Sequence, residues 1–223
     1  MKRIIGSVAV IGVLISGCTS DGSATGKRGM NDMETGAVIG AVGGAAVGAA
    51  VTNKHWKGAM VGAAGGGLAG GAVGAYMDSQ KKDLEKSLKQ ERDSGAVTVT
   101  KLDGNVVKIV MTNQTAFAVD SAAIKPGFNS TMDKLSDVVT RYGKTALSVV
   151  GHTDSTGSAQ HNQDLSQRRA QTVVDYFAAK NVNPVRLSAS GKGASMPIDS
   201  NATEAGRLAN RRVEIYVEPV VAN

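Results

Sequence analysis

Glycine recurs every fourth residue in two blocks, at positions 36, 40, 44 and 48 and again at 58, 62, 66, 70 and 74. On a helix this spacing aligns the glycines along one slowly drifting face, a smooth groove into which another backbone can approach closely. The other positions in the blocks are mostly Ala, Val, Ile, Leu and Met, and residues 35–53 and 58–77 carry no charge. Each run is long enough to cross, or nearly cross, a bilayer core of about 30 Å. Lys54-His55-Trp56-Lys57 lies between them, as expected of a turn at a membrane interface. The pattern predicts a helical hairpin over 35–77, which returns the chain to its starting side. The competing reading is a flexible Gly/Ala linker, because glycine costs about 1 kcal/mol per helical position in water. In lipid an unpaired backbone is costlier still, which favours helix wherever the segment inserts. A chain of 223 residues with 28 Gly but only 3 Phe, 1 Trp and 4 Tyr cannot be one densely packed globule. At 42% hydrophobic residues it still has enough apolar material for a separate folded domain.

The N-terminus reads as an export signal over 1–17: Lys2-Arg3, a short apolar core over 4–15, then Ser16-Gly17. Twelve helical residues span roughly 18 Å, too short for a permanent anchor. Ile15-Ser16-Gly17-Cys18 resembles the lipobox of bacterial lipoproteins, which implies that Cys18, the only cysteine, is acylated (palmitate included) and heads the mature chain. The plainer alternative is an ordinary signal followed by a free thiol. Thr19 stands where an aspartate would resemble an inner-membrane retention signal, so the resemblance implies the outer membrane. Residues 18–34 are small and polar, a tether. The two glycine blocks resemble the glycine-zipper segments of bacterial envelope proteins, which makes a homo-oligomer an expectation. Residues 78–94, DSQKKDLEKSLKQERDS, predict a solvated helical spacer in which only Leu84 and Leu88 sit one turn apart.

The remainder, 95–223, alternates strand and helix patterns. Residues 97–102 and 106–111 alternate as strands around Asp103-Gly104, a hairpin. Phe128, Met132, Leu135, Val138, Val139 and Tyr142 share one helical face between Pro126 and Gly143. Residues 146–150 form an apolar strand ending at Gly151-His152-Thr153-Asp154, and 165–179 a second amphipathic helix with Val173, Val174 and Phe177 inward. A strand over 186–190, a short helix over 204–210 and a strand over 213–218 complete, after the hairpin's first strand, the order β-α-β-α-β-α-β. That order predicts a small α/β sandwich with the helices on one sheet face.

The runs Gly151-His-Thr-Asp-Ser-Thr-Gly157, Leu165-Ser166, Arg169-Ala170 and Gly206-Arg-Leu-Ala-Asn-Arg-Arg-Val213 occur in the order found in the OmpA-like peptidoglycan-binding domain. The resemblance covers roughly 117–217, and with the lipobox and the glycine blocks the whole layout is similar to YiaD-type outer-membrane lipoproteins. It implies the α/β (α+β) fold of the OmpA C-terminal type. It also implies a non-enzymatic outer-membrane lipoprotein whose periplasmic domain binds the diaminopimelate of the peptidoglycan stem peptide, tethering membrane to wall. Diaminopimelate presents a carboxylate beside an ammonium, and such a zwitterion needs one fixed anion and one fixed cation close together. The matched positions are Asp154 for the ammonium and Arg169 for the carboxylate. Asn162 and Arg211 match positions lining the same site, and Leu165 shares the helical face of Asn162 and Arg169 at i, i+3 and i+7. Family members usually carry Phe-Asp where this chain has Phe117-Ala118-Val119-Asp120, so Asp120 takes the place of a polar residue at the ligand-side rim.

Other readings carry less. One cysteine and three histidines exclude a disulfide framework and a four-cysteine zinc cage, and His152, Asp154 and His161 lack a fourth metal ligand. No metal or cofactor is expected. The formal charge of +6 falls to +4 once Lys2 and Arg3 are removed with the signal, and an exported chain is not expected to meet nucleic acid. A wall hydrolase using Asp154 and His152 would want a second carboxylate at suitable spacing. An envelope assembly or secretion accessory acting through the hairpin is the alternative that overlaps the tether. Asp154 paired with Arg169 as a purely structural ion pair is the plainest reading of those two residues. His152 reads as a structural histidine, Ser190-Gly-Lys-Gly193 lacks the spacing of a phosphate loop, and Arg207, Arg211 and Arg212 form a basic cluster.

Overall fold

The computed structural model describes residue 68 and residues 72–221. The signal segment, Cys18, the tether and nearly all of the hairpin lie outside the described residues. Among those residues, no helix is long and apolar enough to cross a membrane.

Five strands form one sheet: β1 (Val97–Leu102), β2 (Val106–Thr112), β3 (Thr145–Gly151), β4 (Leu187–Gly191) and β5 (Arg212–Pro219), in the order β1-β2-β5-β3-β4. All neighbours are antiparallel except β3 and β4, which are parallel. Their alternation explains the sheet's two faces. The registers Val97↔Met111, Ile109↔Ile215, Val149↔Ile215 and Leu147↔Val217 place a continuous apolar surface on one face. Three helices cover it: α1 (Val73–Ser87), α4 (Asn129–Arg141) and α5 (Ala159–Ala179). The short helices α2 (Lys89–Asp93), α3 (Asn113–Ala116) and α6 (Glu204–Asn210) complete the chain. Met132, Leu135, Val138 and Val139 of α4 and Val173 and Phe177 of α5 are buried, while Val174 is only half-buried. Arg186, 4% exposed, holds the end of α4 to β3 through Val139 O, Tyr142 O and Thr145 O.

The fold departs from two expectations. The segment read as a solvated spacer keeps one face in solvent but buries the other. Val73, Met77, Leu84 and Leu88 are each 0% exposed and belong to the same core as the sheet. With Gln80 they make one helical stripe that begins inside the second glycine block, so a boundary drawn at 77/78 cuts it in two. Ties at the surface follow that stripe: Asp83 accepts from Arg141 and Tyr142 at 3.0 Å each, Lys101 pairs with Asp78, and Tyr76 meets Tyr142 edge-on at 5.2 Å. Secondly, α5 begins at Ala159, six residues before the predicted start, because Ser158 caps it by accepting from the His161 N–H at 3.2 Å.

The opposite sheet face carries a polar group: Lys108 and Ser148 are each in register with Tyr216, and Glu214 lies two residues along the strand, opposite Val110 and Val150. Glu214 is 3% exposed, and burial alone would raise its pKa. Hydrogen bonds from Tyr216 (2.5 Å) and Arg212 (2.8 Å) outweigh that, so the net shift is downward. His152, 2% exposed, lies 3.7 Å from Glu214, and neither ring nitrogen has a hydrogen-bond partner. It is buried, as a structural histidine would be, but its ring nitrogens are not satisfied. Burial lowers its pKa below 6.5, with Arg212 and Lys108 adding to the effect and Glu214 opposing it. The unfolded chain therefore takes up this proton first as pH falls. The sign follows: stability should be constant above about pH 6.5 and decline as pH drops from there towards the depressed value. Urea midpoints between pH 7.5 and 5.5 should fall for the parent and stay flatter for His152→Gln; parallel profiles would remove His152 as the cause.

Candidate ligand-binding site

The chain leaves β3 at Gly151 and turns back into α5, and that turn builds one wall of a cavity of about 630 Å³. Asp154 shapes the turn by accepting the Thr156 N–H on Oδ1 at 2.8 Å. Gly157, at φ +90°, permits the reversal, and the Asn162 amide donates to Thr156 O at 2.9 Å. Opposite runs a strap, residues 117–124, closed by a bridge between Phe117 and Ile124 and by Lys125 N–H donating to Ala116 O at 2.8 Å.

Asp154, Arg169, Asn162, Leu165, Arg211 and Asp120 all line this one cavity. Their contacts give each a distinct character. Asp154, 6% exposed, does not pair with Arg169: its Oδ2 accepts from Arg211 at 2.5 Å, and Arg211 also reaches Glu204 at 2.8 Å. Burial would raise the Asp154 pKa, but the donors from Thr156 and Arg211 outweigh it and leave the carboxyl below its ordinary range. It is therefore an oriented anion at neutral pH. Arg169, 4% exposed, spends two of its five N–H donors on the strap, Nε to Ser121 O at 2.8 Å and Nη2 to Ala118 O at 3.3 Å. Its guanidinium lies 5.5 Å from the Phe117 ring centroid. Burial lowers its pKa, yet arginine keeps its charge. Among the described residues no carboxylate forms an ion pair with it. Arg186, equally buried, has four acceptors around its guanidinium; Arg169 has three donors to spare and faces a cavity.

Asn162 braces the turn and Leu165, 5% exposed, supplies apolar surface. Asp120 stands on the rim in the left-handed region at φ +51°, held by His161 Nε2 at 2.7 Å. His161 is thus engaged at the rim rather than with His152 and Asp154. Among the described residues no group of His, Cys, Asp and Glu is arranged to hold a metal. The basic cluster divides: Arg207 and Arg211 share Glu204, Arg211 also holding Asp154, while Arg212 pairs with Glu214 on the other sheet face. The glycines of Ser190-Gly-Lys-Gly193 serve contact with α5, where a Cβ on Gly191 would sit 2.5 Å from Gln167 N. Asn113, Thr153 and Lys125 also line the cavity; Thr153 falls within the Gly151–Gly157 run without being picked out there, and no periodicity or motif singles out Asn113 or Lys125.

A five-stranded mixed sheet with helices on one face, and a cavity at the C-terminal end of β3, define an OmpA-type domain. The model of the OmpA family matches residues 116–211, and that of the YMGG-like Gly-zipper matches residues 1–78. Over 223 residues the chain is 37% identical to the probable lipoprotein YiaD of Escherichia coli K12, covering 98% of this chain and 99% of that one. The chain belongs to this family of OmpA-domain lipoproteins with an N-terminal glycine zipper. Among solved structures, a MotB-like protein from Desulfovibrio vulgaris shares the fold at 22% identity and a TM-score of 0.59, over 73% of this chain and 95% of that one. The cell wall anchor of the T6SS from Pseudomonas aeruginosa matches at 29% identity and a TM-score of 0.56, over 61% of this chain and 96% of that one.

Proposed function

We propose that this protein is an outer-membrane lipoprotein, acylated on Cys18, whose periplasmic domain grips the diaminopimelate of the peptidoglycan stem peptide without turning it over. The observation that carries the reading is Arg169: a buried cation in no ion pair among the described residues, with three unused donors and a fixed anion, Asp154, lining the same cavity. Such a guanidinium presents a fork suited to a carboxylate, while Asp154 keeps lone pairs for an adjacent ammonium. Arg211 holds Asp154 in place rather than competing as a second ligand clamp. The likeness to the Pseudomonas structure, a cell wall anchor, supports the same reading. The match of residues 1–78 to a glycine zipper supports self-association of the anchored end.

The test is co-sedimentation of the full-length protein in detergent with purified sacculi. Asp154→Ala and Arg169→Ala should each weaken binding by about ten- to a hundredfold, the loss of one charge-assisted interaction of ~1.5–3 kcal/mol. Circular dichroism should show both variants folded. Parent protein that stays in the supernatant, or variants that bind as well as the parent, would overturn the assignment. Release of soluble fragments from the sacculi would instead favour a hydrolase.

A further inference from the structure

The same cavity contains polar groups that the protein leaves unused. Asn113, the first residue of α3, is 4% exposed and lines the cavity, yet neither its side-chain oxygen nor its nitrogen has a hydrogen-bond partner. Thr153, also 4% exposed and also lining the cavity, has an unpartnered Oγ1. Both are fixed by their backbones: Asn113 N–H donates to Arg211 O at 3.0 Å and Thr153 N–H to Gly193 O at 2.9 Å. They therefore stand beside Asp154 and the arginine that orients it. Buried polar groups without partners are costly, and native chains rarely keep them without a use. This chain satisfies comparable asparagines elsewhere. The Asn162 amide donates to Thr156 O, and Asn210 accepts from Ile198 and Asp199 while donating to Asp199 O and Asn201.

We propose that Asn113, backed by Thr153, forms a second subsite that recognises the peptide bond joining the zwitterionic residue to the rest of the ligand. This rests on the reading of the cavity given above. An asparagine side chain is neutral and offers one acceptor and one donor group, the complement of an amide rather than of a carboxylate or an ammonium. A cavity of about 630 Å³ falls within the range of about 300–1,000 Å³ typical of small-molecule pockets, which leaves room for a ligand that continues past the group that Asp154 and Arg169 would hold. The next polar group along a stem peptide is its amide bond. Asn113 is thus a specificity-determining residue, selecting peptide-linked over free diaminopimelate.

Calorimetric titration of the full-length protein in detergent with free diaminopimelate and with the tripeptide L-Ala-γ-D-Glu-diaminopimelate tests this. In Asn113→Leu the ratio of tripeptide to free-ligand affinity should fall about three- to tenfold, the worth of a neutral hydrogen bond. The ligand-free variant should melt no lower than the parent, since an unsatisfied amide has been replaced by an apolar group of similar size. Thr153→Val reads the same ratio should Asn113→Leu not fold. An unchanged ratio in the folded variant overturns the subsite while leaving the charged pair intact. A parent that binds neither ligand overturns both.

Discussion

Gly151→Ala is expected to destabilise the domain by about 3 kcal/mol or more and to weaken wall binding in the molecules that still fold. A Cβ built on Gly151 would lie 2.1 Å from Ser166 O and 2.9 Å from Ser166 C. Carbon and oxygen in non-bonded contact prefer about 3.3 Å or more, so α5 would have to retreat by roughly 1 Å along its packed face. Overpacking usually costs about 1–3 kcal/mol, and here the clash is with backbone, which cannot rotate away. For a domain of this size that lowers Tm by about 6–12 °C. The functional consequence follows from what the two elements carry. Asp154 stands just beyond the end of β3, and Asn162, Leu165 and Arg169 ride on α5, so the strand-to-helix distance sets the separation of the cavity's anion and cation. Gly191 is paired with Gly151 in register and lies close to Gln167 in the same way. Calorimetry and sacculus co-sedimentation on the same preparation check the prediction. A variant with parental Tm and binding would show that this close approach does not set the spacing.

What the sequence reveals and what it conceals divide along physical lines. Strands β1, β2 and β5 are legible because one face of each is apolar at every second residue, β3 because it is a short apolar run closed by glycine, β4 because Gly191 closes it too, and the first long helix of the alternating region because its apolar positions return at 3.6-residue spacing. Asp154 and Arg169 are legible through motifs, and the structure brings all six candidate residues to one cavity. Their pairing is not legible. Arg211 lies 57 residues from Asp154, and only the return of α6 and β5 along β3 makes them neighbours. Asn113 is hidden for another reason: a polar residue at the end of a strand reads as a cap or a turn, and its significance lies in bonds it does not make. Helix α1 reads as solvated because its polar residues are numerous and its apolar stripe starts among glycines, where small size suggests a different environment.

Leu84→Ala combined with Leu88→Ala should destabilise the domain even more than Gly151→Ala. Both leucine side chains are 0% exposed in the core shared with the sheet. Truncating a buried leucine costs about 2–5 kcal/mol through lost transfer energy and the cavity left behind. Two neighbouring truncations on one helical stripe are not additive, yet even a partial sum of about 5 kcal/mol rivals the whole stability of many domains, about 5–15 kcal/mol. The surface ties of α1 cannot compensate, because exposed ion pairs such as Arg141 with Asp83 contribute about 0–1 kcal/mol each. Urea titration of the double variant should therefore show a much lower midpoint or no cooperative transition, and a fragment beginning at Gly95 should behave similarly. A midpoint equal to the parent's would mean that α1 is an appendage. With α1 docked, residues 73–94 belong to the folded unit rather than to a free spacer over 78–94.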